Sequence, residues 1–238
     1  MMIGTARGPA AAAELHGLLR SRLMLGLAGV LILVDVGFLA AHAGQVLAEW
    51  QGRIGPGEAR FSIESEGGPS EIYEGVKALA CVVALGLAAR RVGEPIYTAL
   101  AAAFALALAD NALALHERWG GMVAPLLPLG PGAAVPVGEL SFFLAAGLVI
   151  LLALGVGFRR STARHRRLGL PFLGLLVALG GFAVLVDLVH AAVAGQRRAF
   201  DRLFGVVEDG GEMMVLSLAC ALAITLLAAL RASSRKPA

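Results

Sequence analysis

Residues 140–167 read LSFFLAAGLVILLALGVGFRRSTARHRR, an uncharged apolar run from Leu140 to Phe158 that ends abruptly in Arg159, Arg160, Arg164, Arg166 and Arg167. A run of this kind is close to the ~20 residues an α-helix needs to cross hydrocarbon. Five arginines packed against one end mark that end as the cytoplasmic flank under the positive-inside bias. Five further runs repeat the pattern: Leu23–Ala43, Ile72–Ala89, Ile96–Leu115, Pro171–Gly195 and Val206–Leu230. The sequence therefore predicts an all-α fold, a polytopic membrane bundle of six transmembrane helices. Its expected parts are a cytoplasmic N-terminal segment at 1–22, a transmembrane domain at 23–230 with an outer loop at 44–70, and a cytoplasmic tail at 231–238.

Charge divides along the same lines. Arg7, Arg20, Arg22, Arg90, Arg91, the five arginines above, Arg231, Arg235 and Lys236 all fall in alternate connections, accompanied only by Glu14 and Glu94 among the acids. Both termini are thus expected inside, with the chain in the plasma (inner) membrane and the remaining acids gathered in the outer half. A 58% apolar content and a mean hydropathy of +0.79 exclude an ordinary soluble domain. The basic excess lies where topology and anionic headgroups account for it, so no nucleic-acid partner is assigned. The partner expected is the lipid bilayer, with a lipid substrate or a cation as cargo, and no feature sets an oligomeric state.

The two cysteines, Cys81 and Cys220, lie in apolar helical sequence and read as small core residues rather than a disulfide. Ala10–Arg22 suits either an interfacial helix or an extension of the first span. The outer loop reads as a solvated connector more readily than as a cap. Trp50 and Trp119 are expected at the outer interface and Tyr97 near the inner one, while His16 and His165 are expected in solvent. The Gly210-Gly211 pair reads first as close helix packing and second as an irregular turn that re-aims the acids beside it.

Polar residues recur inside the spans. Asp35, Asp110 and Asp187 occur late in the first, third and fifth runs, followed by His42, His116 and His190, and each returning span opens with acids. This recurrence fits three repeated two-helix hairpins. Unequal Asp-to-His spacing opposes a strict triplication, but the shared depth of the acids holds regardless.

A charge facing lipid costs several kcal/mol, about 2.5–3.5 at the helix centre on insertion scales, so these groups are expected to turn inward around one cavity. Asp110 and Glu117, seven apart on one expected helix, share a face, and Asp187 with His190 has the three-residue spacing found in helical two-metal sites. Carboxylate plus imidazole ligation suits Zn, Mn or Fe. The expected metal set is Asp110, Asp187, His190 and Glu212, joined by His116, Asp35 and Glu74, with Glu117 and Glu208 as carboxylates free for proton transfer. A metal-dependent hydrolase acting near the outer leaflet follows, since a bound ion lowers the pKa of water. Two alternatives use the same acids: a proton- or cation-coupled transporter, and an accessory subunit with a structural polar network. In that network Lys77 would neutralise Glu74 from one turn away, while Asp35 finds no base on its own helix.

The mixture of Asp and His in a helical membrane setting loosely resembles the alkaline ceramidases and related membrane hydrolases. Six apparent spans and the lack of a Ser-plus-paired-His signature depart from that family, and neither activity nor residue roles carry over.

Overall fold

The computed structural model describes residues 7–55, 61–65, 67–186, 189 and 198–233. They form α1 (Arg7–Leu19), α2 (Arg22–Trp50), α3 (Pro69–Val92), α4 (Pro95–Leu113), α5 (Leu115–Val123), α6 (Pro131–Arg160), α7 (Ala163–Gly180) and α8 (Arg198–Ser233), with no strand among them. A short 3₁₀ turn follows α5, and α7 runs on into a π-helical stretch at Gly181–Val186. Six of these helices are long and apolar enough to cross a membrane. The chain is a six-helix polytopic bundle, as its apolar runs predict. Three repeated hairpins are not evident in it.

α8 is the axis. It packs against α2, α3, α7 and the π-helical stretch, while α4 lies outside α3, and α6 lies outside α4 and carries α5 at its acidic end. Near-complete burial of α8 from Met213 to Leu230 requires small side chains at close approaches, supplied by Ala219, Cys220, Ala221 and Ala223. The outer helices bury one stripe only. In α3 the stripe is Ser70, Glu74, Lys77, Ala78, Cys81, Ala84, Leu85 and Ala88, the three- and four-residue spacing of one helix face. The polar members of that stripe all lie toward the acidic end. Opposite faces stay apolar and exposed, as at Leu151 in α6 and Leu33 in α2, which is the surface a bilayer solvates.

The ends of the helices follow from local chemistry. Ser21 Oγ accepts the Met24 N–H at 3.1 Å and caps α2. Gly93, at φ 68°, ends α3 in the left-handed region, and Pro95 opens α4 where an N–H is dispensable. Gly210 and Gly211 lie within continuous helix and are approached by Leu39 and Phe182 respectively, so packing explains the pair.

Two expectations about segments change, and a third reaches beyond the described residues. The first span continues to Trp50 rather than stopping at Ala43. The expected fifth span runs past Val186 into residues outside those described. The third span ends at Leu113, because Ala114 sits at φ 47° and starts a separate helix.

Residues 61–65 of the outer loop are folded down, where a solvated connector was expected. Ile63 and Ser62 are buried, Gln45 Oε1 accepts the Phe61 N–H at 3.1 Å, and Glu64 lies on Gly205 of α8. These residues touch Gln45 and His42 of α2 and Gly205 of α8.

Candidate functional site

The buried stripe of α3 delivers Lys77 to the interior between α2 and α8, where only 1% of its side chain is exposed. An ammonium has three donors, and all three are used. Lys77 Nζ donates to Asp35 Oδ1 at 2.9 Å, to the Met213 carbonyl at 2.7 Å and to Ser217 Oγ at 3.1 Å. Ser217 in turn donates to Asp35 Oδ2 at 2.6 Å, which closes the ring of contacts. The Tyr73 ring lies 4.3 Å from the ammonium, and its hydroxyl donates to the Leu31 carbonyl at 3.3 Å. Asp35, expected as a metal ligand, is therefore the counter-ion of a lysine on the neighbouring helix. Lys77, expected opposite Glu74, pairs with Asp35 instead.

A second layer of acids lies one turn nearer the acidic end. Glu74 is buried on the same face of α3, and its electrostatic neighbours are Lys77, Asp209, Asp35 and Glu71. Those of Glu212 are Glu74, Asp209, Glu208 and Asp110. Of the residues expected to converge on one cavity, Asp35, Glu74, Glu208 and Glu212 are electrostatic neighbours between α2, α3 and α8, whereas Asp110 pairs with His116 and Asp187 and His190 lie outside the described residues. Beyond this layer, His42 stands two turns past Asp35 and Ser70 two turns past Lys77, about 10.5 Å at 1.5 Å per residue. His42 Nδ1 is 3.2 Å from Ser62 Oγ under the folded loop. Its Nε2 and Ser70 Oγ are buried side-chain atoms without a hydrogen-bond partner.

Toward the other end the polar ladder stops. The free thiols of Cys81 and Cys220 are both buried in the core, the position expected for each. Past them Leu85, Ala88, Leu100, Phe104, Leu222 and Leu226 are almost fully buried. No ionisable group interrupts that layer among the described residues until Tyr97 and His165, whose hydroxyl and Nδ1 are 2.8 Å apart.

This arginine-rich end has its own network. Glu94 accepts the Thr162 N–H at 2.9 Å and the Thr162 hydroxyl at 2.8 Å, and the Ile96 N–H donates to Ser161 Oγ at 2.9 Å. Burial raises the Glu94 carboxyl, but the Thr162 hydrogen bonds outweigh it and hold the group below its ordinary value. Arg164 pairs with Glu14 of α1 and holds that carboxyl down as well. Tyr97 and His165, expected at the interface and in solvent, are both buried here. His165 Nε2 lies 3.4 Å from Arg164 Nη1 and 3.9 Å from Glu94 Oε1, which ties the buried pair into this network.

Asp110, His116 and Glu117 belong to a third cluster. The break at Ala114 removes the shared helical face expected of Asp110 and Glu117. Asp110 Oδ1 accepts the His116 N–H at 2.9 Å and lies 3.0 Å from His116 Nδ1, capping α5 where Ala114 offers no side-chain oxygen. The hydrogen bond to Asp110 raises the His116 pKa above 6.5 against the effect of burial. The imidazole stacks on Phe143 of α6 at 5.1 Å, and Glu117 is half exposed beside it.

Asp187 and His190 lie outside the described residues. Among those described, no group of three or more His, Cys, Asp or Glu side chains is placed to hold a metal ion. Lys77, read from the sequence as the partner of Glu74, is paired with Asp35. Its signal was the seven-residue offset that puts Ser70, Lys77 and Ala84 on one face, with Asp35 and His42 similarly spaced on α2.

Residues 70–226 match a family model described as Domain of unknown function (DUF8692). No curated protein and no solved structure matches the chain.

Proposed function

The chain belongs to the DUF8692 family, and we propose that it is a proton-linked membrane carrier in which the Lys77–Asp35 pair is the switching element. The observation that carries this reading is the burial of Lys77 Nζ against Asp35 Oδ1 at 2.9 Å within helices of membrane-spanning length. Ionisable groups at such depth are costly and mark ion or proton pathways by default.

The chemistry is that of competing counter-ions. A proton arriving on Asp35 leaves the ammonium without its partner, and Glu74, one turn along the same helix, is the nearest replacement. Lys77 moves toward Glu74, and the Ser217 hydroxyl and Met213 carbonyl are released together with it. Glu74 and Glu212 are electrostatic neighbours, and Lys77 is already paired with Asp35, so protons or a monovalent cation complete the neutralisation of these two carboxyls. His42 and Ser70, with their unpartnered atoms, form the approach to this cluster. The apolar layer beyond Cys81 and Cys220 closes the opposite side, which suits alternating access rather than an open channel.

In this reading the arginine-rich end faces the cytoplasm of a plasma (inner) membrane, both termini are inside, and the carboxylates receive protons from outside. The metal-dependent hydrolase, with Zn, Mn or Fe and a lipid substrate, is less well supported. Asp35 and Asp110 already serve Lys77 and His116.

Proteoliposomes containing a pH-sensitive dye test the proposal under an imposed membrane potential. The wild type is expected to acidify the lumen faster than protein-free vesicles. E74Q and D35N are expected to slow it on the order of tenfold, the scale of a lost charge-assisted contact. Wild-type flux equal to that of empty vesicles would overturn the carrier reading.

A further inference from the structure

Two apolar grooves run along the outside of the bundle at its arginine-rich end, and they meet at Ala89 and Thr98. The first, about 640 Å³, lies between α4 and α6 and is lined by Thr98, Ala102, Leu152, Val156 and Gly157. The second, about 500 Å³, follows α3 and α4 along Val83, Gly86 and Leu87 and ends at Arg90. Both volumes fall in the ~300–1,000 Å³ range of small-molecule sites. Their walls are parallel to the helices, so their occupant is long, thin and apolar.

The second groove ends in a cation, Arg90, and Arg160 closely follows the α6 residues that line the first. Arg90 lies four residues beyond Gly86 and three beyond Leu87, on the face that lines the second groove. Arg160 bears the same relation to Val156 and Gly157 in the first. Both side chains are exposed, and neither has an ion-pair partner among the described residues. Gly157 lets α6 close on α4, where a Cβ would stand 3.1 Å from that of Ala99. Glu94, which borders the same groove, is committed to Thr162.

We propose that the paired grooves bind one anionic diacyl phospholipid, with an acyl chain in each and the phosphate held between Arg90 and Arg160. Arginine suits this role because its planar fork donates two parallel hydrogen bonds to phosphate oxygens. Apolar length below and unpaired positive charge at the headgroup level complement such a lipid at both ends.

Native mass spectrometry of the full chain, purified in mild detergent and offered equal phosphatidylglycerol and phosphatidylcholine, tests this. One phosphatidylglycerol per chain is expected to persist, favoured on the order of tenfold over phosphatidylcholine. R90Q and R160Q should each remove most of that preference, and R90K should restore part of it. G86L and A102L fill the grooves at positions open to their surroundings, and both should lower retention with the arginines intact. R166Q, an exposed arginine at the same end but away from both grooves, should change nothing. Equal retention of the two lipids would overturn the proposal. So would an equal loss in R166Q, which would mean diffuse surface charge, or dimer ions abolished by groove filling, which would mean that a second copy occupies the face.

Discussion

Lys77 Nζ and Asp35 Oδ1 are 2.9 Å apart with essentially no side-chain exposure, and every donor of the ammonium is occupied. Such a pair is held less by its own attraction than by the cost of separating it. Two charges taken out of water lose several kcal/mol of solvation each, and only mutual contact with further hydrogen bonds repays it. Removing one partner exposes the full penalty on the other.

Asp35→Asn or Lys77→Met alone is therefore expected to lower stability by about 3–5 kcal/mol. The double variant, which leaves no unpaired charge, should recover much of that loss. Thermal unfolding of the four proteins in detergent measures the cycle. Additive single losses would show that the pair is not coupled.

A pH dependence is expected at the opposite edge of the acidic end. The Asp110 carboxylate raises the His116 pKa above 6.5. A folded-state pKa above the unfolded one means that protonation favours the folded state. The contribution is fully present below pH 6.5 and is lost as pH rises through the folded pKa. NMR titration of the imidazole should give a midpoint above 6.5 in the wild type and a lower one in D110N. Hydrogen exchange in α5 should quicken over the same window in the wild type. Identical midpoints would remove Asp110 as the cause.

The apolar runs made the six spans readable, because membrane length and arginine flanks are properties of single segments. The burial of the acids was readable for the same reason. Their pairing was not. Asp35 and Lys77 are 42 residues apart on different helices, and hydropathy does not say which inward-facing charge meets which. Asp110 was misassigned through one backbone angle, since Ala114 carries no Gly or Pro signal and yet adopts φ 47°. Residues 61–65 are held down by single hydrogen bonds such as that from the Phe61 N–H to Gln45 Oε1, which no periodicity announces. His165 was misread because its arginine neighbours dominate the local charge while its own ring turns inward to Tyr97.

Orientation has its own test. In a C81A/C220A background, a cysteine at Gly130 should react with an impermeant maleimide added outside intact cells. One at Arg166 should react only after permeabilisation. Reversed labelling would invert the proposed direction of proton delivery while leaving the bundle unchanged.

The crossing of α5 and α6 supplies the last prediction. Gly120 and Gly138 bring the two helices so close that a Cβ on Gly138 would lie 2.8 Å from both Cα and the carbonyl oxygen of Gly120. Both obstructing atoms are backbone, so no rotamer change relieves the overlap and the helices must separate. Separation would pull Trp119 Nε1 from Ser141 Oγ, now 2.9 Å apart, and His116 from its stack on Phe143. Gly138→Ala is expected to cost about 1–3 kcal/mol by overpacking. Gly147→Ala, on the same helix with nothing within 4 Å of the new Cβ, should be neutral or stabilising by up to ~1 kcal/mol, since alanine favours helix. Thermal unfolding of the two variants in the same detergent compares them directly. Equal midpoints would mean that α5 does not depend on this contact for its place on α6.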